Sequence, residues 1–521
     1  MIHTDVRILT EPLGGSALSQ ALQRAEAPVT WMPATPNTPA EWRAAVTRRA
    51  TAAQWRAVLE QLAPAIRATG VARDRLQRVA EAGGIVVTTG QQPGLFGGPI
   101  YTWSKAVSAL AIANEIERVT GVPCVAVFWA ATDDADFAEA SFTMFATRDG
   151  VETVRTELAP PSGTPMSLAP LGDASAVLAR LRAAAGSASD ETPLEIAERA
   201  YGTPTRSIGD AYVMLLRDLL APLGIPVLDA SHDAVRAASD PILRRALECA
   251  PRVQDALGAR RREMLELGYD PQVADVDSLS LVFMREGSIK RRASVAESAA
   301  LAADRKALLT PNVLLRPIVE RELLPSIAYV AGPGEIAYFA QVSAVADVLG
   351  VDRPLALPRW SCTLVEPHIA ELQRRYGATP DALARPDAFE ALVARASMGK
   401  GTADTLRELR EVIDKLPARL TEEASALGLK GAIDGAKGML LHRADRLERR
   451  LLAGLKRREA SAMRDIAAMR AALFPLGKRQ ERALNILPLL SRHGVALLGA
   501  MHESAAPHAR ALISGGDGTA S

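Results

Sequence analysis

Between Gly84 and Trp129 the chain reads as strand, glycine-rich turn, helix and strand, an order that leaves few folds open. Ile85-Val86-Val87 is a short β-branched run of the kind found in buried strands. It leads into Thr88-Thr89-Gly90-Gln91-Gln92-Pro93-Gly94-Leu95-Phe96-Gly97-Gly98, and from Pro99 a helical pattern carries Ile100, Trp103, Val107, Leu110 and Ile112. The next apolar run, Cys124-Val125-Ala126-Val127-Phe128-Trp129, ends in Thr132-Asp133-Asp134-Ala135-Asp136. Two strands joined through a helix form a βαβ unit, so an α/β fold around a parallel sheet is expected. Residues 225–229, 327–330 and 355–357 supply further strands, with a helix expected near 207–220.

At 521 residues there is room for about three domains, or for one large domain with an appendage. The first eighty residues read as an extended lead followed by helices. Thr38-Pro39-Ala40-Glu41 and Thr51-Ala52-Ala53-Gln54 are the helix-capping devices there. Residues 145–200, rich in Pro, Ser, Gly and Ala with a helical stretch at 174–184, read as an insertion. Residues 251–310 suggest a helix, short β segments and a basic turn at Lys290-Arg291-Arg292. Beyond about residue 380 strand signals stop, which bounds a core at 1–380. Leu406, Leu409, Ile413, Leu416 and Leu420 then make a heptad seam. A second helix over 433–473 carries Leu440, Ala444, Leu447, Leu451 and Leu455, and its length is about 60 Å. With a turn at Gly428 and Gly431 and a stop at Pro475, an antiparallel coiled coil over 398–475 is expected. Residues 476–513 would return to the core as helix, leaving 514–521 as a disordered tail.

Lys and Arg number 61 against 60 Asp and Glu, so the net charge of +1 draws the chain to neither nucleic acid nor anionic lipid. Three separated cysteines, Cys124, Cys249 and Cys362, argue against a disulfide framework. None of the seven histidines has metal-ligand spacing, so no metal site is assigned. MIHTDVRILTEPL lacks a secretory pattern, and the longest uncharged stretch, 82–104, is broken by Gln91-Gln92-Pro93-Gly94. A soluble, cytoplasmic protein is expected.

For chemistry, residues 90–98 are the most informative. Gly94, Gly97 and Gly98 allow close approach of a ligand to the backbone, and the helix behind them offers its positive dipole end. The expected occupant is a phosphate or carboxylate; the alternative is a turn whose glycines serve packing. The spacing matches neither a dinucleotide fingerprint nor a P-loop. Gln91 and Gln92 suit ligand hydrogen bonding, while Lys105 either reaches a bound anion or is solvated. Asp133, Asp134 and Asp136 lie past a strand end, where they would hold an ammonium group, a ribose or Mg²⁺, or cap a helix. Gly332-Pro333-Gly334-Glu335 is a second glycine turn, and Glu335 either contacts a ligand amine or complements the helix dipole. Arg316, in the apolar run Pro311-Asn312-Val313-Leu314-Leu315-Arg316-Pro317, pairs either with a ligand anion or with an internal acid. Lys456-Arg457-Arg458 reads as a solvated face.

The segments Thr89 to Pro99 and Pro311 to Pro317, together with Gly332-Pro333-Gly334-Glu335-Ile336-Ala337-Tyr338-Phe339 and Gln480-Glu481-Arg482, resemble the bacillithiol biosynthesis cysteine-adding enzyme family. The resemblance runs in order over nearly the whole chain. It implies a Rossmann-like core related to nucleotidyltransferases and class I aminoacyl-tRNA synthetases, with inserted connective segments and a coiled coil that makes a homodimer. The implied reaction is the last step of bacillithiol synthesis, joining the carboxyl of L-cysteine to the glucosamine amine of glucosaminyl malate. Two positions depart from the family pattern. Ala135 stands where an acid-Asp-His-Asp run usually has its histidine, and Asp270 stands where Gly-Tyr-His usually precedes a Gln. The class I synthetase His-x-Gly-His signature is also absent.

Because a carboxylate is a poor acyl donor at neutral pH, amide formation needs an adenylate or acyl phosphate, and ATP or another nucleotide is the expected cofactor. Asp134, Glu335 and Lys105 are the expected catalytic residues. Gln91, Gln92, Gly94, Gly97, Gly98, Asp136, Asn312, Arg316, Gly332, Gly334 and Tyr338 are the expected substrate- or nucleotide-binding ones. One rival is another nucleotide-dependent acyl or nucleotidyl transferase on the same fold. The other is a coiled-coil interaction protein with a degenerate site, a reading favoured by Ala135.

Overall fold

The computed structural model describes residues 5–50, 52–148, 150–274 and 276–514. Thr51, one of the expected caps, and residues 515–521 of the expected tail lie outside them. The chain forms two units, one of Met1–Phe145, Glu152–Leu364 and Gln480–Ser521, the other of Ala146–Val151 and Val365–Arg479.

The first unit is built on five parallel strands, β1 (Ile85–Gln91), β2 (Cys124–Ala130), β3 (Val227–Asp229), β4 (Ser326–Ala331) and β5 (Ala356–Pro358). They lie in the order β5-β4-β1-β2-β3. β1 and β2 run in register from Ile85 opposite Cys124 to Gln91 opposite Ala130. All of β2 and β4, and β1 up to Gly90, are buried, which is why these strands read as unbroken apolar runs rather than alternating ones. Three helices flank the functional end: α1 (Ile100–Thr120), α2 (Arg316–Leu323) and α3 (Pro333–Leu349). The chain winds outward from β1 through β2 to β3, then crosses back to place β4 on the other side of β1. The strand order therefore reverses between β1 and β4, and a crevice opens beyond their carboxyl ends.

Three expectations change. The extended lead is a strand, Arg7–Glu11, paired with Ser361–Val365. Lys290-Arg291-Arg292 is not a turn but part of the strand Ile289–Ser294, in an antiparallel sheet with Leu279–Glu286 and Leu308–Pro311. Burial of Ala293 and pairing of Arg292 opposite Phe283 hold it extended. The second long helix is interrupted at Glu459 (φ −91°, ψ 38°), giving α5 (Lys430–Arg458) and α6 (Ala460–Leu473). The break lets Ile466, Met469 and Leu473 become buried.

In the second unit α5 lies against α4 (Lys400–Ala426). Arg410 pairs with Asp445 at 2.7 Å and Lys437 with Asp414 at 3.0 Å, so the partner number falls as the chain number rises and the helices are antiparallel. Leu406, Ile413, Ala444 and Leu452 are buried along the seam. Back in the first unit, the chain after residue 479 forms a turn at Gln480–Arg482 and helices at Leu487–His493 and Ala496–Ser514, the latter packed on α1. Among the described residues no helix is long and apolar enough to cross a membrane.

Candidate active site

The crevice at the point of strand reversal is an open cleft lined by residues from both sides of the reversal. Both strand-end turns reach it: Gln91 and Gln92 from the end of β1, and Gly332, Gly334 and Glu335 from the β4–α3 turn. Lys105 of α1, Arg316 of α2 and Tyr338 of α3 complete the expected residues found there.

Lys105 is only 1% exposed, so the solvated-lysine alternative does not apply. Its ammonium lies 2.5 Å from Glu335 Oε2 and donates to Gly90 O at 2.6 Å and Gln91 Oε1 at 3.1 Å. Glu335 is equally committed. Its Oε2 accepts the Gly332 N–H at 2.8 Å, closing the first turn of α3, and its Oε1 accepts the Tyr329 hydroxyl at 2.6 Å. Burial works to raise the Glu335 carboxyl, but the charges of Lys105 and Arg316 hold it below the ordinary carboxylate range. Burial pushes the Lys105 ammonium down, with Glu335 opposing. Arg316 sits 3.6 Å from Glu335 and 3.3 Å from Glu320, and donates to Tyr338 Oη at 3.0 Å. Burial behind Arg316 lifts the Glu320 carboxyl to about 7, against the pull of that arginine.

A second carboxyl was hidden in the sequence. Glu139 lines the cleft, accepting from the Tyr101 hydroxyl at 3.1 Å and from the Gln92 amide. Burial, with Asp136 and Asp134 nearby, raises it above the ordinary range. Its spacing from Asp136 is that of a helix-capping acid, and this bland signature masked it. Tyr101, Gln272, Arg359 and Arg482 also line the cleft; Gln272 ends the run that carries Asp270, and Arg482 follows Gln480 and Glu481, which do not line it.

Other expected positions lie elsewhere, each with a structural task. Gly94, Gly97 and Gly98 form a buried joint, not an open cradle. A Cβ at Gly97 (φ +85°) would stand 2.6 Å from Trp103, and one at Gly94 2.8 Å from Gly98. The Ile100 N–H at the start of α1 donates to Leu484 O at 2.9 Å, and the Asn485 amide donates to Phe96 O at 2.9 Å and Gly98 O at 3.2 Å. With those groups spent on the chain itself, the packing alternative holds for this turn. Asp136 caps a short helix through the Glu139 N–H at 3.1 Å, and Asp134 accepts the Asp136 N–H at 2.9 Å. Asn312 accepts the Leu314 and Leu315 N–H groups at 3.1 and 3.0 Å. Neither Asp134, Asp136 nor Asn312 lines the cleft. Among the described residues no three His, Cys, Asp or Glu side chains are grouped to hold a metal ion.

Comparison with known proteins places this geometry. Residues 34–360 match the N-terminal Rossmann-like domain of bacillithiol biosynthesis BshC, and residues 362–511 match its C-terminal coiled-coil domain. This chain belongs to that family. A protein of Solibacter usitatus named "Putative cysteine ligase BshC" is 33% identical over 461 residues, covering 85% of this chain and 86% of the relative. Relatives of the same name from Symbiobacterium thermophilum (30% identical, 80% of each chain) and Salinibacter ruber (29%, 82% of each) are similar over the same extent. The Rossmann-like parallel sheet and the coiled coil are therefore those of a family of ligase enzymes.

Proposed function

We propose that this chain joins the carboxyl of L-cysteine to the glucosamine amine of glucosaminyl malate, the last step of bacillithiol biosynthesis. The reading includes a cytoplasmic homodimer assembled through the coiled coil, and ATP or another nucleotide as activator of the cysteine carboxyl. One observation carries it: in a chain of this family, both strand-end turns open into one cleft lined by Glu139, whose carboxyl burial holds above the ordinary range. Among the described residues Glu139 has no cation within ion-pair distance.

The chemistry follows from which groups are free to act. In the amide-forming step the sugar nitrogen bonds to the acyl carbon, the activating group leaves that carbon, and the nitrogen gives up a proton. Glu335 and Asp134 were the residues expected either to bind the cysteine ammonium or to take the amine proton, but the oxygens of Glu335 already serve Lys105, Tyr329 and the Gly332 N–H, and Asp134 does not line the cleft. Glu139, held by a hydroxyl and an amide only, is the proton acceptor in this reading. With the Gly332 N–H committed to Glu335 and no N–H on Pro333, Gly334 is the residue of this turn whose N–H would meet the negative charge that develops on the acyl oxygen. The Gly94–Gly98 turn does not fit a nucleotide phosphate, since its polar groups are spent on Leu484 and Asn485. No residue there is assigned to the nucleotide and no step is routed through it.

Incubating the purified chain with L-cysteine, glucosaminyl malate, ATP and Mg²⁺, followed by mass spectrometry, tests the proposal. The cysteinyl amide is expected, and its loss on omission of nucleotide would support activation. No amide with any nucleotide, or a faster reaction with a different amino acid, overturns it.

A further inference from the structure

Four cations line the cleft, and three are already neutralised within the chain. Lys105 faces Glu335, Arg316 lies between Glu320 and Glu335, and Arg359 is bound by both oxygens of Glu481 at 2.7 Å. Among the described residues Arg482 is the one cleft-lining cation without an ion-pair partner. Its neighbours explain how an exposed side chain is nevertheless well placed. The Gln480 amide accepts the Leu364 N–H at 2.8 Å and donates to Leu364 O at 2.7 Å. Glu481 also accepts the Ser361 hydroxyl at 2.8 Å. Gln480 and Glu481 are thus anchors, 3% and 2% exposed, and the turn they pin projects the third residue of the motif into the cleft.

We propose that Arg482 recognises the malate carboxylates of the aminosugar substrate. The inference rests on the reading above, that this cleft takes glucosaminyl malate. Arginine's planar fork matches a carboxylate with two parallel hydrogen bonds, and a group with no internal partner loses none when a ligand arrives. The position also suits a substrate with an amine at one end and carboxylates at the other. The charge of Arg482 acts on the Tyr101 hydroxyl, and that hydroxyl donates to Glu139, the proton acceptor. Arg482, Tyr101 and Glu139 thus line one cleft, with a positive group for the malate end and a negative one for the amine end.

The test compares wild type with Arg482→Ala and Arg482→Lys on glucosaminyl malate and on methyl glucosaminide, which has the amine but no carboxylate. In ligation assays Arg482→Ala should raise KM for glucosaminyl malate about ten- to hundredfold. The effect should fall on KM for that substrate and not on KM for cysteine, with partial rescue by lysine. Wild type should bind methyl glucosaminide more weakly by a similar factor, and the alanine variant should no longer distinguish the two sugars. Calorimetric titration of the full chain with each sugar gives the same comparison without turnover. Absence of ligation by wild type would refute the ligase reading, while the titrations would still decide Arg482. Equal affinity of wild type and Arg482→Ala for glucosaminyl malate, or no binding by wild type, overturns the inference.

Discussion

Replacing Glu320 by glutamine should make the first unit more stable above neutral pH, a gain expected of few buried acids. Its side chain is 2% exposed, and burial outweighs Arg316, so the carboxyl moves from an ordinary 4.5 to about 7. Between those values the folded chain holds a proton that the unfolded chain has released. Stability therefore falls as pH rises through this window and levels off above 7. A shift of that size corresponds to about 3 kcal/mol. Glu320→Gln, which mimics the protonated acid, escapes the loss, so its advantage should widen by about 2 to 3 kcal/mol between pH 5 and pH 8. All six tryptophans lie in the first unit and all are buried, so urea unfolding followed by tryptophan fluorescence reports on it directly. Parallel stability curves for the two proteins, or a wild type that gains on the variant as pH rises, would refute the reasoning.

Three further substitutions probe the site and its supports. Glu139→Gln should lower kcat by about 10²- to 10⁴-fold and remove the acidic limb of the pH–rate profile, with tryptophan fluorescence unchanged. Glu481→Gln strands the buried Arg359 guanidinium and should cost about 3–5 kcal/mol in urea unfolding, whereas replacing both partners by apolar residues should recover much of that. Gly97→Ala forces a side chain onto Trp103 at a positive φ, and a loss of about 2–3 kcal/mol should appear as a lower Tm.

The sheet was legible because β1, β2 and β4 are buried on both faces and so appear as apolar runs, ended by glycine in β1 and β4 and by Thr132-Asp133-Asp134 after β2. The coiled coil was legible through its leucine period, but the seam was not: Leu406, Ile413 and Ala444 of the expected positions are buried, whereas Leu409, Leu420, Leu440 and Leu447 are exposed. The strands Arg7–Glu11 and Ser361–Val365 were not, since their pairing joins segments about 350 residues apart and each is short. At the site, sequence located the two turns but not what fills them. Glycine at 94 and 97 has the same signature whether the space beside it holds a phosphate or, as here, Trp103 and the Asn485 amide. Glu139 and Asp136 illustrate the converse, because residues three apart beside a helix start look like caps whether or not one also faces a cleft.

The charges beneath the cleft make a stronger argument for function than any motif does. Lys105, Glu320, Arg359 and Glu481 are buried, and Arg316 and Glu335 are half-buried beside them. Buried ion pairs seldom stabilise a fold relative to apolar residues of equal volume, because desolvation consumes what attraction returns. The rest of this sheet follows the cheaper course, with Val86, Val125, Phe128 and Val330 filling its interior. Six buried or half-buried ionisable groups gathered where strand order reverses are not explained by stability. They are explained if the crevice must stay polar and fixed in shape: Lys105 and Glu335 tie α1 to the first turn of α3, Arg316 ties α2 to α3, and Arg359 with Glu481 secures the turn that carries Arg482. On that argument an apolar replacement of Arg359 and Glu481 together should leave the first unit folded and stable yet loosen Arg482. Loss of discrimination between glucosaminyl malate and methyl glucosaminide in a protein with wild-type unfolding would show it, and retained discrimination would mean the pair serves the fold alone.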